Sequence, residues 1–194
     1  MEPYAQARHL IDAAHAADPH RAPDGQPAEL VYADRVEHWV ARLAPDAAPP
    51  LRLAARCQHL ERFLTPRTTF PEGKVGYLQW RKSLYAKQAA RARELLLAAA
   101  VPPAEADAVA RWVSKTDLKQ DPGSQALEDA AVLVFLENEI GAFAAQHRDY
   151  PRDKFVDILR KTWRKLSPAA RSLAAALDLP PAIAALVQEA VAKG

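Results

Sequence analysis

The sequence predicts an all-α protein, and three features of its composition support this fold class. Alanine, leucine and arginine are abundant, whereas β-branched residues seldom stand next to one another. There are only 6 glycines, and the 16 prolines fall where helices would begin or end. Hydrophobic residues make up 49% of the 194 residues, enough to bury a sizeable core. We therefore expect one helical domain over residues 1–194.

Prolines and capping residues predict the order of the helices. The expected helices run from Pro3 to before Asp18-Pro19, from Pro27 to Ala44-Pro45, from Leu51 to about Leu64, from Gly76 to Ala100, from Pro103 through Val113, from Pro122 to about Gln146, from Pro151 through Leu166, from Pro168, and beyond Pro180-Pro181. Residues 65–74 are expected to form a loop. In the segment SKTDLKQDPGS, Asp121 is the expected N-cap of the helix that follows.

One predicted helix is apolar around its whole circumference. The run Ala130–Leu136 has no polar face, which is typical of a helix surrounded by other helices. We therefore expect an orthogonal bundle of about eight to nine helices around this central one. The run is too short to span a membrane.

The third predicted helix, LRLAARCQHLERFL, carries ionisable groups beside its apolar stripe. At helical spacing the core stripe holds Leu53, Cys57, Leu60 and Leu64. The adjoining stripe holds Arg52, Arg56, His59 and Phe63, with Gln58 and Arg62 beyond it. One interpretation is a half-exposed edge whose arginines pair with carboxylates. The other is an anion site, because the arginine fork suits phosphate or carboxylate and a partly buried histidine can act as acid, base or metal ligand.

The central helix supplies a complementary carboxylate. Asp129 shares a face with Val132, Leu133 and Leu136 and is expected to point inward, while Glu128 lies on another face. A buried carboxylate needs a partner. Either Asp129 neutralises an arginine such as Arg56 or Arg62, or it meets His59 in a catalytic pocket.

The segment PRTTFPEGKVGYLQWR places aromatic residues beside cations. Arg67, Tyr77, Trp80 and Arg81 could stack on a base or hold a phosphate. The alternative is that Tyr77 and Trp80 are core residues of an amphipathic helix.

Charge and cysteine content limit the possible partners and compartments. The net charge of +2 does not by itself indicate nucleic-acid binding. The single cysteine, Cys57, excludes an internal disulfide and is expected to be a buried, structural thiol. The N-terminal residues do not resemble a secretory signal. We expect a cytoplasmic protein without a membrane partner.

Six segments resemble one uncharacterised family. In order they are IDAAHAADPH, PAELVYADRVEHWV, LRLAARCQHLERF, PRTTFPEGKVGYLQWR, LEDAAVLVFLE and DILRKTWRKLS, and together they resemble domain of unknown function 4202 over nearly the whole chain. This family has no established activity.

A more distant similarity is to the HD superfamily of metal-dependent phosphohydrolases, which are orthogonal helical bundles. Tyr32 stands near the position of that superfamily's first histidine, Gln58-His59 replaces its His-Asp pair, and Asp129 matches its later aspartate. This resemblance implies an altered metal motif. His59 and Asp129, with Glu61 or Glu128, would then hold a divalent metal.

These observations lead to three hypotheses. The first is an HD-like hydrolase, or a related enzyme, acting on a small phosphorylated or anionic substrate. Its expected catalytic residues are His59, Asp129 and Glu128, and its expected metal ligands are His59 and Asp129. Its expected substrate-binding residues are Arg56, Gln58, Arg62, Arg67, Tyr77, Trp80 and Arg81. The second is an RNA- or nucleotide-binding module that uses the arginines with Tyr77, Trp80 and Trp163. The third is a catalytically dead HD-like scaffold.

Overall fold

The computed structural model describes residues 1–116 and 121–192, and within them the prediction of an all-α fold is confirmed. Residues 117–120, part of the loop predicted before Asp121, lie outside this description. The described helices are α1 (Pro3–Ala16), α2 (Ala28–Leu43), α3 (Pro49–Arg56), α4 (Gly73–Ala98), α5 (Pro103–Ser114), α6 (Pro122–Val134), α7 (Ile140–Gln146), α8 (Arg152–Trp163), α9 (Pro168–Ala175) and α10 (Pro181–Ala192). No strand occurs in this part of the chain.

The chain divides into two compact units, Met1–Leu127 and Glu128–Gly194. In the first unit α1 packs on α2, α3 and α4, and α5 packs on α3 and α4. Its core includes Ile11, Trp39, Leu96 and Val109, all 1% exposed or less. Burying each such side chain stabilises the unit by about 1.5–3 kcal/mol. A single domain over the whole chain stays a prediction.

The third helix is shorter than expected, and this corrects the stripe assigned to it. It ends at Arg56 instead of continuing to Leu64. His59 and Glu61 adopt left-handed backbone conformations, with φ of 61° and 51°, which an α-helix cannot contain. A short 3₁₀ turn, Arg62–Leu64, follows. Leu64 is consequently 65% exposed and not part of the core.

Residues other than glycine seldom adopt a left-handed backbone conformation, and here two of them, His59 and Glu61, do so within three positions. They end the helical path after α3, and Leu60 between them is still buried. Cys57 is fully buried, as expected, and burial raises the pKa of its thiol. Its purely structural role stays a prediction.

Proline and capping signals predicted most other helix starts to within two residues. The exception is α4, which begins at Gly73 and not at Gly76, so the last residues of the segment 65–74, expected to be a loop, are helical. A 3₁₀ turn, Arg67–Thr69, also lies in that segment. The Oδ1 atom of Asp121 accepts a hydrogen bond from the Ser124 N–H, as expected of an N-cap. In the second unit, the Ser167 hydroxyl accepts from the Ala170 N–H at the start of α9. A π-helical turn, Phe135–Glu139, separates α6 from α7 in the helix expected to be continuous, which brings the described helices to ten.

The second unit buries the apolar run predicted from the sequence. Ala130, Leu133 and Val134 are fully buried. Helices α8 and α10 pack against each other, and α8, α9 and α10 border a mainly apolar cavity of about 380 Å³. Among the described helices, none has the length and apolarity needed to cross a membrane.

Candidate functional site

The candidate site lies in the first unit, where a glutamate and a histidine meet. Glu29 is in the first turn of α2, and its backbone N–H donates to Oδ2 of Asp18 at 3.0 Å. Oε2 of Glu29 lies 3.2 Å from Nδ1 of His59. The Tyr32 ring stacks on the imidazole with centroids 3.8 Å apart and planes 10° apart. The imidazole is therefore held on one face by a phenol ring and at Nδ1 by a carboxyl group.

Cationic side chains surround this pair. Nη1 of Arg62 lies 3.1 Å from Nδ1 and 3.3 Å from Nε2 of His59, and the guanidinium lies 5.0 Å from the Trp80 ring centroid. On α4, Arg81 donates to the hydroxyl groups of Tyr85 and Tyr77. Within residues 1–116 and 121–192, neither arginine has a carboxylate within ion-pair distance. Of the two, Arg62 still acts on the nearby Glu29 carboxyl group through its charge.

Burial and these charges shift the pKa values of the pair in opposite directions. Burial raises the pKa of Glu29 to about 7, although Arg62 opposes this shift. Burial and the positive charges of Arg62, Arg81 and Lys115 hold the pKa of His59 well below its ordinary value. Near neutral pH the imidazole is neutral and Glu29 exchanges its proton readily. A group with a pKa near 7 is suited to general acid–base chemistry.

The site is reachable from solvent. The side chains of His59 and Glu29 are 25% and 15% exposed. A small anion entering here would meet two guanidinium groups together with a neutral imidazole and a carboxyl group of pKa about 7. This arrangement can bind a phosphoryl or carboxylate group and move a proton beside it.

The donor set around His59 does not fit a divalent metal. Catalytic metal sites usually have about three protein ligands. Within the described part of the chain, no three His, Cys, Asp or Glu residues are grouped so as to share an ion. The guanidinium of Arg62 also contacts His59, and its positive charge would repel a metal ion bound to the imidazole.

Arg56 is engaged by carboxylates, as the first interpretation of the third helix expects. Its guanidinium is 4% exposed and donates to Asp12, to Asp34 at 2.5 Å and to Glu37 at 3.0 Å. These partners raise its pKa. The residue therefore joins α3 to α1 and α2, and its role as a substrate ligand stays a prediction.

Two other expected ligands also have structural partners. Gln58 is buried and donates to the Ala54 carbonyl. Arg67 donates to the carbonyl groups of Phe70, Pro71 and Gly73, which braces the loop before α4.

Trp80 and Tyr77 differ in what they could offer a ligand. Trp80 is 6% exposed, and its indole N–H donates to the Thr65 carbonyl at 2.8 Å. This is the placement of a core residue. Tyr77 is 43% exposed, and its hydroxyl group accepts a hydrogen bond from Arg81, so its ring could be reached by a ligand.

Asp129 and Glu128 belong to the second unit. Oδ1 of Asp129 accepts the Ser167 N–H at 2.8 Å, and Oε1 of Glu128 lies 3.0 Å from Nζ of Lys165. Both residues are buried, in agreement with the expectation for Asp129. Their shared catalytic role with His59 stays a prediction.

Sequence reasoning missed Glu29 and Lys115. Glu29 resembles an ordinary acidic residue in the first turn of a helix, where it favours the helix dipole. Its distance to His59 depends on how α2 packs against the turn after α3. Helical periodicity shows which face of one helix is apolar, but not how two elements pack against each other.

The comparison with family models agrees with the resemblance noted in the sequence. A family described as "Domain of unknown function (DUF4202)" matches residues 5–187. The chain belongs to this family. The DUF4202 match spans every residue of the Glu29–His59 site. Searches of curated proteins and of solved structures found no match to this DUF4202 chain.

Proposed function

We propose that this DUF4202 protein is an enzyme that hydrolyses a small phosphorylated substrate at the Glu29–His59 site. One observation carries the proposal: a glutamate of pKa about 7 contacts a neutral histidine, and the two arginines beside them have no carboxylate within ion-pair distance among the described residues. Such arginines favour a phosphoryl group, and such a glutamate favours proton transfer.

In the proposed reaction, the ionised carboxylate of Glu29 removes a proton from a water molecule as that water attacks phosphorus. Arg62 and Arg81 stabilise the negative charge on the phosphoryl oxygens. The bond between phosphorus and the ester oxygen breaks, the leaving oxygen takes up a proton from solvent, and Glu29 releases the proton that it took from water back to solvent. One water is consumed, and the products are an alcohol and inorganic phosphate.

His59 would orient Glu29 in this reaction. Because Tyr32 stacks on its ring and Nδ1 faces the carboxyl group, His59 limits the directions in which Glu29 can turn. We also propose an HD-like relationship, which the order of the sequence motifs supports. A cytoplasmic location is part of the same proposal, and the single buried thiol of Cys57 agrees with it.

The test is phosphate release from a panel of phosphomonoesters, with and without divalent cations and a chelator. We expect activity that His59→Gln and Glu29→Gln each reduce at least 100-fold. His38→Gln is the matched control, because His38 is an exposed histidine on α2. An inactive wild-type protein, or variants as active as the control, would contradict the proposal.

A second candidate is a nucleotide-binding module without catalysis. The exposed ring of Tyr77 beside Arg81 favours it, since a base could stack there. Binding would weaken steeply with salt. Tyr77→Ala would reduce the affinity for nucleotides while leaving the affinity for inorganic phosphate unchanged. A phosphate affinity that falls equally would exclude base stacking.

A further inference from the structure

His15 is a fully buried histidine that the proposed reaction does not use. It lies near the end of α1 and is 0% exposed. Its Nε2 atom is 2.8 Å from the Arg56 carbonyl oxygen. Because a carbonyl only accepts hydrogen bonds, Nε2 carries the hydrogen. Burial lowers the pKa of His15, so the ring is neutral and Nδ1 presents a lone pair.

This lone pair has no hydrogen-bond partner among the described residues. Buried polar atoms in folded proteins nearly always have a partner, which is either another protein group or an ordered water molecule. An acceptor at a position this deeply buried therefore indicates a donor close to it. A buried water with two or more polar neighbours is the usual donor in such places.

The surroundings of His15 point to the candidate site. The His15 carbonyl accepts the Asp18 N–H, and the Asp18 carboxylate accepts the Glu29 N–H. The His15 side chain holds the carbonyl of Arg56, three residues before His59. The end of α1 thus fixes the backbone that carries each member of the pair. In addition, His15 and Glu29 each affect the pKa of the other.

We infer that Nδ1 of His15 accepts a hydrogen bond from one buried water molecule that is shared with the Glu29 carboxyl group, and that His15 is a positioning residue of the Glu29–His59 pair. The inference rests on the proposed function for its consequence. One carboxyl oxygen of Glu29 faces His59, and the water holds the other toward α1 and away from the entering anion.

Two substitutions of His15 distinguish the donor role of Nε2 from the acceptor role of Nδ1. Glutamine places an amide N–H near the position of Nε2, so His15→Gln keeps the donor to Arg56 and loses the acceptor. Asparagine places its amide near the position of Nδ1, so His15→Asn keeps an acceptor and loses the donor to Arg56. Ile11→Val, on the same buried face of α1, is a control for altered packing alone.

The readouts are thermal unfolding and calorimetric affinity for inorganic phosphate at pH 7. We expect His15→Gln to unfold near the wild-type temperature and to bind phosphate about three- to tenfold more weakly, the effect of one hydrogen bond. The Glu29 carboxyl group would then turn an oxygen toward the anion. His15→Asn should unfold at a lower temperature and bind phosphate nearly as wild type does. Ile11→Val should change only the unfolding temperature.

Wild-type affinity in His15→Gln, or an equal loss in both His15 variants, would overturn the inference. Failure of the wild-type protein to bind phosphate would overturn the proposed function instead. The inference then has its own measurement in the ring ¹⁵N resonances of His15. Glu29→Ala should move the Nδ1 resonance and leave the Nε2 resonance in place, and an unmoved Nδ1 resonance would contradict the inference.

Discussion

Nδ1 of His59 lies 3.2 Å from Oε2 of Glu29, a residue thirty positions earlier in the chain. The two groups arrive there from different elements. Glu29 is fixed by the first turn of α2, and His59 by a left-handed residue after α3. Neither group carries a full charge near pH 7, because burial disfavours the ionised form of both. This pairing leads to the first prediction.

Glu29→Gln should make stability less dependent on pH. The ordinary pKa of Glu29 is 4.5 and the folded value is about 7, so the folded state binds more protons between these pH values. Its contribution to stability is therefore present below pH 4.5 and falls as pH rises to 7. At pH 8 the variant should be more stable than wild type by up to about 3 kcal/mol.

The measurement is urea unfolding of both proteins at pH 5, 6, 7 and 8, compared as a difference. The lowered pKa values of His15 and His59 give both proteins a slope of opposite sign. Comparing the two proteins removes most of this slope, although Glu29 itself raises the pKa of His15 and its loss leaves a small residual. A difference that is constant across the pH series would contradict a raised pKa for Glu29.

Arg81→Gln should weaken phosphate binding at least tenfold. The guanidinium of Arg81 meets only phenol hydroxyl groups among the described residues, so its charge is available to an anion. Arg93→Gln is the matched control on the same helix, because Arg93 is already paired with Asp107 at 2.6 Å on an exposed surface. Calorimetry at low and high salt measures both. Equal affinities of the two variants would place the anion site elsewhere.

Arg56→Met should destabilise the protein by about 1.5–3 kcal/mol, because it removes charge-assisted hydrogen bonds to Asp12, Asp34 and Glu37, carboxylates that are partly exposed. Exposed Arg52, which donates to the Pro45 carbonyl, provides the control Arg52→Met, with an expected change within about 0.5 kcal/mol. Urea unfolding at pH 7 measures the difference. Similar stabilities of the two variants would show that the carboxylates do not depend on Arg56.

The prolines allowed most helix starts to be predicted because proline is compatible with only the first turn of a helix. The end of α3 was not predictable in this way. His59 and Glu61 adopt left-handed conformations that neither glycine nor proline marks, and tertiary contacts such as the stack on Tyr32 stabilise them. His59, Arg62 and Arg81 were predicted as site residues from their types, whereas Glu29 depends on packing between elements and was missed.

Substitutions of Asp129 can distinguish a structural role of this residue from a catalytic one. Its Oδ1 atom accepts the Ser167 N–H, the first donor of the α9 N-terminus, at 2.8 Å. Asp129→Ala leaves that N–H without this acceptor and should cost about 1–3 kcal/mol. Asp129→Asn keeps an oxygen at the same position, so its loss of stability should be smaller.

Because the carboxylate is engaged in this way, we expect Asp129→Asn to retain phosphate-releasing activity within about twofold of wild type, a barrier change of less than about 0.5 kcal/mol. Activity per folded molecule is the deciding measurement, with unfolding by urea recorded on the same samples. A loss of 100-fold or more in a well-folded Asp129→Asn protein would contradict the structural role. It would instead support the prediction that this aspartate acts in catalysis, as the HD-like resemblance implies.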